Sequence, residues 1–201
     1  MDITLNNSSL YSGKPLEHEQ VWEIITAALA DHNLVLDKLL INGEEKVGDI
    51  SFLLEELSVE NALIEVVALE KKRYLDGQLL MAHDYLERAI PAAGDLADHL
   101  YQDPQRETWE GLSQLLEGLE WLIQFVNEMR ENARDYSEWT SGITEEGDFK
   151  DPLNNLAEAI NNNDPVLIGD VIRYEILELL ETLLGDVKTV MTNEVVTDEL
   201  H

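Results

Sequence analysis

The side chains that could do chemistry are few in kind and scattered in spacing. None of the five histidines, His18, His32, His83, His99 and His201, has a glutamate three residues before it. The Glu-x-x-His pair, which sets a carboxylate and an imidazole on one helix face for a metal, is therefore missing. His-Glu-x-x-His and EF-hand spacings are missing too. Asp95 and His99 stand four apart on a polar helix face with Arg88, and read either as a solvated pair or as two metal ligands. The eleven glycines form neither G-x-G-x-x-G nor G-x-x-x-x-G-K-[ST], so no phosphate loop is predicted. A G-x-S-x-G nucleophile elbow is also lacking. With no cysteine, thiolate nucleophiles, disulfides and cysteine-held metals are excluded. The 42 carboxylates single out no glycosidase-like pair. No catalytic, metal or cofactor site is assigned, and catalysis by residues that meet only in space stays open.

Three arginines and an aromatic stripe stand out instead. On a wheel of 100° per residue, the apolar arc of the last helix spans about 180° and has Arg173 inside it. Arg130 and Arg134, one turn apart, fall on the inward arc of the helix over 105–139. Each arginine either snorkels or pairs with a carboxylate, or the three converge on an anion or an acidic group of a partner. Trp121 and Phe125 lie at i, i+4, with Tyr136 and Trp139 continuing that side. They pack as core or form a partner-binding face, where Trp, Tyr and Arg are enriched. The candidate partner- or anion-binding set is thus Arg130, Arg134, Arg173, Trp121 and Trp139. Gly111 and Gly118, on the same flank, either admit a close helix or merely lower helix propensity.

Charge narrows the partner. Thirteen Lys and Arg against 42 Asp and Glu give a formal net charge of −29, which argues against nucleic acid and against anionic membrane. The same acidity favours a basic protein partner. The opening MDITLNNSSLYSGKP has no basic residue before Lys14, so no signal peptide is predicted and the expected location is cytoplasmic. No apolar run approaches the roughly 18 residues of a membrane span.

The elements that would position these side chains change character near residue 70. Before it, the order reads β-α-β-β-α-β: a strand at 3–5, a loop with Gly13 and Pro15, a helix over 17–31, a hairpin about Asn42-Gly43 within 34–47, a helix over 51–57, and a strand over 62–69. That order fits a ferredoxin-like, split βαβ sheet of four strands. After it, helical spacing dominates: 70–102 with a kink or break at Pro91, then 105–139, a loop over 141–152, a short helix 153–161, and a last helix over 165–192 capped by Asp164 with Pro165 behind it. The tail EVVTDELH is expected to fray. The fold class is α+β, with a small unit over 1–69 and a helical bundle over 70–201. The wide arc of the last helix requires two neighbours within the chain or a homodimer partner.

The run DPVLIGDVIRYEILELLE, residues 164–181, resembles a segment of an uncharacterised family of cytosolic bacterial proteins, mostly from Firmicutes, at Asp164, Asp170, Tyr174 and Glu175. The resemblance implies a helical C-terminal part and a bacterial cytosol, and carries no catalytic role. The expected function is that of an acidic interaction protein: an adaptor, chaperone or regulatory subunit. The alternative is an enzyme or small-molecule binder with a dispersed site between the two parts. A nucleic-acid mimic ranks last, because the carboxylates are spread over every polar face rather than set in rows.

Overall fold

The computed structural model describes residues 1–46, 62–102, 104–132 and 145–194. The expected helix over 51–57, the continuation of the 105–139 helix beyond 132, Asp103, and the tail from 195 lie outside them. The chain divides into two compact units, residues 1–74 and 75–201.

In the first unit, strands β1 (Asp2–Leu5) and β2 (Ser8–Ser12) form a hairpin. Helix α1 (His18–Asp31) follows, then β3 (Leu34–Ile41), β4 (Glu44–Lys46) and β5 (Leu63–Glu70). The sheet order is β2-β1-β5-β3-β4, with β5 parallel to β1 and antiparallel to β3. Asn42 and Gly43 carry φ of 53° and 81°, the two positive values that a type I′ turn needs, so the expected hairpin is present. Alternating residues of the strands meet Val21 and Ile25 of α1 in one core, around Ile3, Ile64 and Val66.

The α+β class stands, and the four-stranded expectation is corrected to five strands. The loop read before Pro15 contains β2, an edge strand whose SSLYS sequence has no apolar alternation because none of it is fully buried. Its turn is made by Asn6 and Asn7, with φ of 47° and 68°, a conformation asparagine tolerates better than most residues. The Asn6 side chain extends the β1–β5 ladder: Nδ2 donates to the Ala68 carbonyl and Oδ1 accepts from its N–H, both at 2.9 Å. Asn6→Gly keeps the permitted φ and deletes only these bonds. We expect it to lower unfolding free energy by about 1–2 kcal/mol in urea titration.

The second unit is a bundle built from α2 (Lys71–Leu100), α3 (Arg106–Glu131), α4 (Glu146–Asn161) and a last helix that runs as α5 (Pro165–Val171), a π turn (Ile172–Ile176) and α6 (Leu177–Glu194). One 30-residue helix passes through Pro91 rather than two. Pro91 is exposed, while Leu86, Ala93, Leu96 and Leu100 anchor the helix on either side. Asp164 accepts from the N–H groups of Val166 and Leu167 at 3.1 Å, the expected cap.

The loop expected over 141–152 is corrected from residue 146 onward, where α4 begins. A capping box between Glu145 and Asp148 starts it, and Phe149, Leu156 and Ala159 are buried at helical spacing. Burial of that stripe outweighs the Gly147 and Pro152 that read as loop.

The π turn explains the wide arc of the last helix. At a uniform 100° per residue, Ile168, Val171 and Ile172 are centred roughly 80° away from Ile176, Leu179, Leu180, Leu183, Val187 and Val190. The wider π turn rotates the two sets onto a common buried face. Arg173, inside the arc on the uniform wheel, is left half-buried at its edge. Among the described residues, the helix bonds to two neighbours within the chain. Against α2 it runs antiparallel, through Lys188 to Glu87 at 2.5 Å, Arg173 to Gly94 and Asp98, and Tyr101 to Asp170 at 2.7 Å. Against α4, Asn155 donates to Glu175 at 2.8 Å.

Candidate docking groove

The residues singled out by sequence separate into two kinds. Arg173 donates to the Gly94 carbonyl at 3.3 Å and to the Asp98 carboxylate. Arg130 pairs with Glu145 at 2.7 Å, joining the end of α3 to the cap of α4. Pairing with a carboxylate therefore describes both, and their contacts do not bring them to a common site. Arg134, Tyr136 and Trp139 lie outside the described residues. Arg173→Met should cost about 1 kcal/mol, and Asp98→Asn less, because the Gly94 bond survives the second change. Chemical denaturation of both variants checks the order.

Trp121 belongs to a different feature, an open groove between α2 and α3. Between α2 and α3, Gly118 leaves room for the Tyr85 ring. A Cβ on Gly118 would overlap the Tyr85 hydroxyl and stand 2.6 Å from its Cζ. Freed of that clash, the Tyr85 ring meets Trp121 edge-on, centroids 5.5 Å apart, and Trp121 stacks on Phe125 at 6.0 Å. Burial pushes the Tyr85 phenol above its ordinary pKa, with the Arg88 charge opposing. The hydroxyl is accordingly neutral near pH 7.

Two adjoining cavities follow the groove. One, of about 230 Å³, is lined by Tyr85, Arg88, Ala89, Ala92, Leu96 and Gly111 among others. The other, of about 520 Å³, shares Tyr85, Arg88 and Gln114 and adds Met81, Asp84, Glu117, Gly118 and Trp121. Met81 is 55% exposed, an apolar side chain held in water beside an aromatic pair. Sequence reasoning found Trp121 and the two glycines but missed Tyr85 and left Arg88 among solvated polar residues. The available signal was the small residues Ala89, Ala92 and Ala93 lying one turn from Tyr85 and Arg88 on the same helix.

Among the described residues, no group of three or more His, Asp or Glu could hold a metal ion. No described helix is long and apolar enough to cross a membrane. A family whose description reads Domain of unknown function (DUF8042) matches residues 79–185. The chain belongs to that family. The DUF8042 match begins within α2 and ends within α6, so both walls of the groove fall inside it and the sheet falls outside. The run 164–181, whose resemblance pointed to an uncharacterised family, lies within the match as well. No curated protein and no solved structure matches the chain.

Proposed function

We propose that the chain is a non-catalytic interaction protein of the bacterial cytosol, an adaptor, chaperone or regulatory subunit, that docks a protein partner in the α2–α3 groove. The observation that carries this reading is the groove's lining. Trp121, Tyr85 and Arg88 are of the three residue types most enriched at binding hot spots, and they line one cleft beside exposed Met81. Bacterial and cytosolic placement rests on the resemblance at 164–181.

Native mass spectrometry of the chain purified from its host, beside Ala92→Gln, tests the reading. Ala92 is exposed and lines the groove, so glutamine fills the cleft without touching the core. A protein partner retained by the parent and lost by a variant with unchanged melting supports the proposal. A partner retained equally by both, or a small ligand in place of a protein, contradicts it.

A further inference from the structure

Resting on the groove as a docking site, we propose that its occupant is a basic amphipathic helix of a partner protein, carrying one acidic side chain opposite Arg88. Shape argues for a helix. The lining runs from Met81 to Leu96 on α2, about 22 Å at 1.5 Å per residue, the length of a helix of about 15 residues. The walls are two antiparallel helices. At Ala89, Ala92 and Gly111 they present little or no side chain, so a third helix can lay its apolar face between Leu96, Leu115, Tyr85 and Trp121.

Charge argues for a basic one. Asp84 and Glu117 line the cleft, and Asp95 and Glu107 are exposed along the same two helix faces. Arg88 is the exception, and it fixes register. Its Nε donates to the Asp84 backbone carbonyl at 3.0 Å, and among the described residues it has no carboxylate partner. A ligand carboxylate is the group that would complete it. A second copy of the chain is a poor occupant, because both would bring −29 of formal charge together.

The probes are three synthetic peptides of about 15 residues. The first is a leucine-faced, lysine-flanked helix with one central glutamate; the second is its scramble; the third is a glutamate-flanked version of opposite charge. Each is titrated into the full chain while backbone amide shifts are followed by NMR. We expect the lysine-flanked helix to move the amides of Tyr85, Ala89, Ala92, Gly111, Gln114 and Gly118. It should bind at least about ten-fold more tightly than the scramble, and Ala92→Gln should remove that advantage with melting unchanged. A further peptide, identical to the first but with lysine in place of the central glutamate, should bind the parent more weakly than the first, and in Arg88→Glu that preference should invert.

Equal binding of the scramble, with shifts spread over every acidic face, would mean charge alone and overturn the inference. Groove shifts produced as well by the glutamate-flanked helix would overturn the basic partner while leaving the docking site intact. Groove amides moved by no peptide would overturn both. Groove shifts that grow with protein concentration alone would make a second copy the occupant, which also overturns it.

Discussion

Phe149→Ala is expected to destabilise the bundle by about 3–5 kcal/mol, the range for deleting a buried phenyl ring. Phe149 is 1% exposed and is the largest fully buried side chain in α4. It lies in the stretch that by composition reads as loop, where the same substitution would cost under about 0.5 kcal/mol at an exposed site. The two readings of 146–152 therefore differ by several kcal/mol in a single variant. Thermal and urea unfolding, followed by helical circular dichroism, measures it. A Phe149→Ala protein that melts with the parent would remove α4 from the core.

Gly118→Ala carries the second large effect, and its sign should depend on residue 85. In an ordinary helix interior, alanine is favoured over glycine by about 1 kcal/mol. At Gly118 the added Cβ meets the Tyr85 ring, which must leave its place against Trp121 or push the helices apart. Overpacking of this kind costs about 1–3 kcal/mol, so a net loss is expected with Tyr85 present. With Tyr85→Ala as the background the obstacle is gone. Gly118→Ala should then stabilise by up to about 1 kcal/mol. A coupling near zero in the double-mutant cycle would mean that Tyr85 does not occupy the space above Gly118.

What could be read in advance followed from local physics. Asn42-Gly43 announces its turn because few other dipeptides accept two positive φ values, and Asp164-Pro165 announces a helix start because both residues suit its first turn. Beta-branched, apolar 62–69 gave the central strand for similar reasons. What escaped depended on neighbours distant in the chain. Strand β2 exists because β1 offers it an edge, and its own residues have no pattern to show. Helix α4 is held by burial of Phe149 and Leu156, which local composition does not report. The π turn was hidden because a wheel of constant angle spreads one buried face into a wide arc, and that placed Arg173 inside it.

The groove was half legible in the same sense. Gly111 and Gly118 marked a place where something could approach, and Trp121 marked an aromatic edge. That Tyr85 fills the space at Gly118, and that Arg88 stands in the resulting cleft without a carboxylate among the described residues, depends on the register between α2 and α3. The matched family stretch, 79–185, encloses both of these helix walls. The claim about function therefore concerns the bundle.

Photo-crosslinking in the living host tests that claim most directly. A light-activated residue at Gln114, which lines both cavities, is compared with one at exposed Thr189 on α6. The account predicts a discrete protein adduct from position 114, absent from position 189 and abolished by Ala92→Gln in the same chain. The same adduct from both positions, or one indifferent to Ala92→Gln, would contradict it.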